Sequence, residues 1–116
     1  MERVPLTILK NLIHSEEYIR KVLPFVLPEY FEEKTDRVVF EEISNFLKAY
    51  DTLPTKEVLH IELEKRTDLS QDEFSLSDQL VSSLDKVDSE EQWMLDTTEK
   101  WCKERAIYLA LMESIK

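Results

Sequence analysis

The 116-residue chain contains no glycine, although glycine makes up roughly 7% of an ordinary protein. Phosphate-binding loops need glycine because their backbone has to approach the phosphates closely and adopt positive φ angles. Neither a Walker loop nor a dinucleotide-binding fingerprint is therefore possible. Tight β-hairpins, which depend on Asn-Gly and Asp-Gly turns, are also disfavoured. The sequence predicts a helical domain that cannot itself hydrolyse ATP.

Cysteine and long apolar runs are equally scarce. The single cysteine, Cys102, excludes an internal disulfide and suits a reducing compartment. No stretch approaches the roughly 20 apolar residues of a membrane span, and the N-terminal region lacks the cleavage site of a signal peptide. We therefore expect a soluble cytoplasmic protein with no membrane partner.

Basic charge is low, with 15 Lys and Arg against 25 Asp and Glu and a net charge of −10. So acidic a chain repels the phosphate backbone, whose neutralisation by Lys and Arg supplies most nonspecific affinity for nucleic acid. The sequence predicts that this segment does not bind DNA directly.

Apolar residues recur at helical spacing along nearly the whole chain, which predicts an all-α fold. Ser15 and Thr55 are typical helix N-caps, and Pro28 can open one short turn. The predicted helices cover approximately residues 5–14, 16–23, 36–50, 55–66, 71–84 and 90–116.

A capping box is the most specific local signal. Ser70 and Glu73 have the Ser-x-x-Glu spacing, and Leu69 and Phe74 have the spacing of the accompanying hydrophobic staple. A second, weaker box is predicted over positions 89–92.

The last predicted helix is apolar on nearly every side, which is typical of a helix covered all round. We expect its main stripe to pack on the 71–84 helix; this stripe is Trp93, Met94, Trp101, Tyr108, Leu111, Met112 and Ile115. A second line on nearly the opposite side has nothing left in the chain to cover it, and no helix stop signal follows. We therefore expect a fragment of a longer chain whose interface residues are Leu95, Cys102, Ala106, Leu109 and Met112.

Candidate chemistry is sparse. Glu57 and His60 have the Glu-x-x-His spacing of di-iron bundles, but such a site needs a second copy of the motif, and His14 is preceded by Asn11 instead. Cys102 has no histidine nearby in sequence to act as its base. Exposed polar faces and core packing explain these residues better, and the sequence assigns no catalytic, cofactor-binding or metal-binding residue.

Several short stretches, in order and over nearly the whole chain, carry a family resemblance. They are Ile8–Ile13 (ILKNLI), Tyr18–Pro24 (YIRKVLP), Glu29-Tyr30-Phe31, Phe40 with Ile43, Tyr50 with Leu53-Pro54, Leu59 with Leu63-Glu64, Trp93, Thr98-Glu99-Lys100 and Arg105-Ala106. This pattern resembles the N-terminal domain of DnaB-like replicative DNA helicases, nearest to the helicase half of the primase-helicase of T4-type bacteriophages.

The resemblance implies a small helical head, about residues 1–69, followed by a long antiparallel helical hairpin, about residues 70–116. In the family such domains form the collar of a hexameric ring, with hairpins pairing between subunits, and contribute to primase engagement. A RecA-like motor then binds ATP and magnesium, contacts DNA and unwinds it at the replication fork. That motor is absent from this chain, so the resemblance implies oligomerisation and primosome assembly here and ATP-dependent helicase activity in the parent protein.

Two other functions remain open at this point. The chain fits a stand-alone acidic adaptor, such as a helicase loader or phage inhibitor that docks its last helix on a host replication protein. A small helical metalloenzyme is the third reading, supported only by the single Glu-x-x-His motif.

Overall fold

The structure, a computed structural model, describes residues 3–115. Within this range the chain forms six α-helices and one 3-10 turn with no strand, so the all-α prediction is confirmed. The elements are α1 (Val4–His14), α2 (Glu16–Val22), the 3-10 turn (Pro28–Tyr30), α3 (Lys34–Tyr50), α4 (Lys56–Glu64), α5 (Gln71–Ser82) and α6 (Glu91–Ser114). We call α1–α5 with the 3-10 turn the body.

Helix α3 is the centre of the body and contacts α1, α4, α5 and the 3-10 turn. Most of its predicted apolar stripe is buried, including Phe40 and Ile43. Phe46 is half-buried, and Tyr50 is exposed, because α3 ends there and Asp51 turns the chain with a φ of 55°. The Tyr50 ring stacks instead on Phe46 at the surface, with 4.7 Å between ring centroids.

The predicted N-caps are in place. The Ser15 hydroxyl accepts the N–H three residues on at 3.2 Å, and Thr55 does the same at 3.1 Å. Both halves of the capping box are present: Ser70 Oγ accepts the Glu73 N–H at 3.1 Å, and the Glu73 carboxylate accepts the Ser70 N–H at 2.8 Å. These bonds satisfy N–H groups that the first turn of a helix leaves unpaired.

The expected second capping box is wrong. The N-cap of α6 is Glu90, whose carboxylate accepts the N–H groups of Gln92 at 3.0 Å and Trp93 at 2.7 Å. Ser89 instead lies beside α1, where its hydroxyl accepts from Asn11 Nδ2 at 3.4 Å. A carboxylate at a helix N-terminus also interacts favourably with the helix dipole, which a hydroxyl does to a lesser degree.

The intramolecular hairpin is not confirmed. Helix α5 packs against α3 and α4, whereas α6 packs against α1, α2 and the 3-10 turn, and within residues 3–115 the two helices do not pack together. The buried side of α5, with Ser77 and Val81, is already covered by α3 and α4. Residues 83–90 then direct the chain towards α1, where His14 Nε2 donates to the Leu84 carbonyl at 2.8 Å.

Helix α6 is the longest element. Its 24 residues extend about 36 Å at 1.5 Å per residue, and the longest dimension of the molecule is 37 Å. Its buried residues, Met94, Thr98 and Cys102, all lie in the first half. The second half therefore contains no buried residue.

We expect Ser70→Ala to lower the free energy of unfolding by about 1 kcal/mol, because it leaves the Glu73 N–H without its capping acceptor. Urea denaturation followed by far-UV circular dichroism measures this. Thr67→Ala, at an exposed position before the box, is the control and should change stability by less than about 0.5 kcal/mol. Equal stability of the two variants would contradict the structural importance of this cap.

Candidate functional site

An aromatic cluster holds the middle of α6 to the body. The Trp101 ring lies 5.0 Å from that of Phe31 and 6.1 Å, edge to face, from that of Tyr30. Phe31 in turn packs on Phe40 of α3 at 5.0 Å. Arg105 Nε donates to the Tyr30 carbonyl at 2.6 Å. Aromatic pairs at these distances add about 0.5–1.5 kcal/mol each beyond the area that they bury.

A buried hydroxyl pair fixes the rotation of α6 about its own axis. Thr98 donates to the Met94 carbonyl at 2.7 Å, which leaves its oxygen to accept from the Tyr18 hydroxyl at 2.6 Å. Burial raises the pKa of Tyr18, so the phenol stays protonated and remains a donor. The contact turns the Thr98 side of α6 towards α2.

A groove remains between α6 and the segment that joins α2 to the 3-10 turn. Its volume is about 570 Å³. One wall carries Phe25, an exposed ring on a short segment between Pro24 and Pro28 whose middle residue, Val26, is buried. We call this feature the groove and define it by its apolar lining: Val22, Phe25, Tyr30, Leu95, Cys102 and Ala106.

The five interface residues expected from the sequence fall into two groups. Leu95 packs against the core and Cys102 is buried, so the expectation that the chain leaves them uncovered is wrong. The reason is that the buried hydroxyl pair turns this side of α6 towards α2. Ala106 and Met112 are exposed and Leu109 is partly exposed. These three are accessible at the surface, whereas Leu95 and Cys102 are reached only through the groove that they line.

The expected main stripe of α6 is also corrected. Met94 and Trp101 do face the core, but Trp93 is 55% exposed and Tyr108 is also exposed. With α5 packed elsewhere, nothing in the described chain covers this side of α6 at either end. The ring of Tyr108 instead lies under the Arg105 guanidinium, 4.8 Å from its centroid, in a cation–π contact.

The end of α6 carries a line of exposed aliphatic side chains. Ile107 and Leu111 are each 61% exposed and Ile115 is 74% exposed. Residues four apart in a helix share one face, so the three form a continuous line, which we call the ridge. The predicted covered stripe contained Leu111 and Ile115 but not Ile107. The spacing of four residues between Ile107 and Leu111 was the sequence signal that the two share one face.

His60 lies in a second cluster, between α4 and α5. Its Nδ1 pairs with the Asp78 carboxylate, and its Nε2 is 3.5 Å from the Ser82 hydroxyl. The arrangement of Ser82, His60 and Asp78 resembles a Ser-His-Asp catalytic triad. Such a triad also needs free N–H donors near the serine to stabilise the oxyanion of the reaction. The N–H of Ser83, the residue after Ser82, is already hydrogen-bonded to carbonyl groups of α5. The C-terminal end of a helix also disfavours negative charge. The cluster therefore joins α4 to α5, and exposed Glu57 takes no part in it.

The described residues contain no group of three His, Cys, Asp or Glu side chains placed to hold a metal ion. In the same range, no helix is both long enough and apolar enough to cross a bilayer. The described surface carries an exposed apolar helix end and, on another side of the same helix, an apolar groove. Exposed apolar patches of this kind are typical of protein-interaction domains.

A comparison with known proteins gives a specific relative. The chain is 29% identical over 109 residues to a DnaB-like replicative helicase of Enterobacteria phage T4. The match covers 94% of this chain and 23% of the relative, so the chain spans about a quarter of that protein's length. The resemblance that the sequence stretches indicated is thereby confirmed. No family model matches the chain.

The environment of Cys102 predicts an inert thiol, because burial raises its pKa to about 11. At pH 8 only about one thiol in a thousand is then ionised, and the thiolate is the reactive form. A chromogenic disulfide reagent should modify the native chain at least about 100-fold more slowly than the urea-unfolded chain. The double variant Cys102→Ser/Ser114→Cys, with its thiol at the exposed helix end, is the control and should react at nearly the unfolded rate. Equally fast reaction of native Cys102 would contradict the docking of α6.

Proposed function

We propose that this chain is the N-terminal collar domain of a DnaB-like replicative helicase, in which it joins subunits and engages the primase. The observation that carries the proposal is the similarity to the T4 helicase through 94% of the chain. We assign ATP, magnesium and DNA to a motor segment outside these 116 residues, because a chain without glycine has no phosphate-binding loop. The protein acts in the cytoplasm on replicating DNA.

The end of α6 supports the oligomerisation part of this proposal. The ridge, together with Ala106, Leu109 and Met112, leaves apolar side chains in water on several sides of one helix. Covering them would recover about 25 cal/mol per Å² of apolar surface. A second copy of the chain is the cover that a ring-forming helicase requires, as a dimer of this domain and as a hexamer of the full-length protein. Primase engagement rests on the family resemblance alone.

The adaptor function is the second candidate, because the same exposed helix end fits a foreign protein as well as a second copy. The reading frame that encodes the chain separates the two. A frame that continues beyond Lys116 into a Gly-rich Walker loop supports the collar and contradicts the adaptor. A stop codon directly after Lys116 contradicts the collar.

We expect the chain to self-associate at tens of micromolar or above, and Leu109→Glu to shift it towards monomer. A fully covered leucine contributes roughly 2 kcal/mol at each copy, and the substitution also places a charge in the contact. Size-exclusion chromatography with light scattering gives the mass, and far-UV circular dichroism checks that helicity is unchanged.

Gln79→Glu adds the same charge at an exposed site of α5 and is the matched control, which should associate like the wild type. A wild-type chain that stays monomeric at several hundred micromolar contradicts the proposed role in subunit contact.

A further inference from the structure

We propose that residues 24–28 are the surface through which this domain engages the primase, and that the primase meets them with an apolar cleft bordered by basic side chains. The inference deepens the proposed function, on which it rests, by naming the surface and the chemistry of its partner. We call residues 24–28 the knob. Their sequence is Pro-Phe-Val-Leu-Pro, and the side chains of Phe25 and Leu27 are 70% and 41% exposed.

The backbone of the knob is well held, although two of its apolar side chains lie in water. Pro24 and Pro28 fix φ at its two ends, and Val26 between them is buried. The N–H groups of Phe25 and Val26 both donate to the Val22 carbonyl, at 2.9 and 3.1 Å. A partner that binds side chains on a backbone already ordered in this way loses little conformational entropy.

Two concavities adjoin the knob. Phe25 forms part of the wall of the groove, which has a volume of about 570 Å³. Leu27 lines a second concavity of about 860 Å³, which we call the α3 pocket. Its apolar lining is Leu23, Pro24, Leu27, Pro28, Phe40 and Leu47. A partner can therefore contact the knob from both concavities, with the Phe25 ring as the kind of aromatic anchor that is enriched in protein interfaces.

The charges around the two concavities select a basic partner. Five basic residues line them: Arg20, Lys21, Lys48, Arg66 and Lys103. Eight carboxylates lie 3.3 Å or less from four of these basic groups, and they belong to Glu16, Glu17, Glu41, Glu42, Asp51, Asp68, Glu91 and Glu99. The acids outnumber the bases even with unpaired Lys48 included, so the surroundings of the knob are negative.

Two carboxylates beside the knob lack full compensation. Glu29 is exposed and pairs with no basic group in the described part of the chain. Burial raises the pKa of Glu42 in the α3 pocket despite the nearby Arg66 guanidinium, so its carboxylate gains from an approaching cation. A second copy of this chain would bring the same acidic surface and is disfavoured here, whereas a basic surface is attracted.

The first test measures the affinity of the chain for the primase encoded in the same genome, by isothermal titration calorimetry. Phe25→Ala removes the exposed ring and should weaken binding at least about tenfold, the change that 1.4 kcal/mol produces. Leu76→Ala is the control, because Leu76 is 53% exposed on α5, which contacts neither α2 nor the 3-10 turn. It should bind like the wild type, and far-UV circular dichroism checks that both variants keep their helix content.

The second test addresses the charge of the partner surface. Raising the salt concentration from about 50 to about 300 mM should weaken wild-type binding several-fold, because added ions screen exposed charges. At about 150 mM salt, Glu29→Lys should weaken binding about threefold or more. Glu57→Lys makes the same change at an exposed site of α4 and is the matched control, which should bind like the wild type.

A Phe25→Ala chain that binds the primase as tightly as the wild type overturns the inference and leaves the proposed primase engagement standing. Wild-type binding that responds neither to salt nor to Glu29→Lys overturns the basic border of the cleft. A wild-type chain that does not bind the primase overturns both the inference and the primase part of the proposed function.

Discussion

The contact between Trp101 and Phe31 is the interaction on which the rest of the structure depends. Helix α6 is 24 residues long and packs on α1, α2 and the 3-10 turn, with the Trp101 contact at its middle. Because Phe31 also packs on Phe40, the cluster connects α6 to the central helix of the body. The groove and the ridge both follow from this packing of α6. The groove is the space left beside the first half of α6, and the ridge is the face at the end of α6 that points away from the body.

The charge distribution fits a domain that contacts protein rather than DNA. Several basic side chains that a nucleic acid would need are paired with acids of the chain itself. Arg20 bridges to Asp51 at 2.9 Å, and Arg66 lies 2.6 Å from Asp68 and lowers the pKa of that carboxyl to about 2. At net charge −10, these pairs leave little positive surface for phosphate groups. This charge distribution suits the proposed collar function, in which the DNA contacts are assigned to another domain.

Local sequence signals predicted the helices well, but they could not predict how distant helices pack on one another. A hydroxyl or proline acts within one turn of the helix that it starts, so the caps at Ser15, Thr55 and Ser70 could be identified from spacing alone. Helix α6 is apolar on several sides, so its pattern cannot indicate which face meets the body. That choice depends on the Tyr18 hydroxyl bond, which joins residues 80 positions apart. The exposed ridge was missed for the same reason, because exposure depends on where α5 packs.

The central claim is that α6 is anchored at its middle and exposed at its end until a second copy covers it. Amide hydrogen exchange along α6, measured over a range of protein concentrations, tests this most directly, since local opening reports local stability. The account predicts that residues 94–102 are protected equally at all concentrations. It predicts that residues 107–114 exchange rapidly in dilute solution and become protected as the concentration rises through tens to hundreds of micromolar. Protection of residues 107–114 that is already high in dilute solution and does not change with concentration would contradict it.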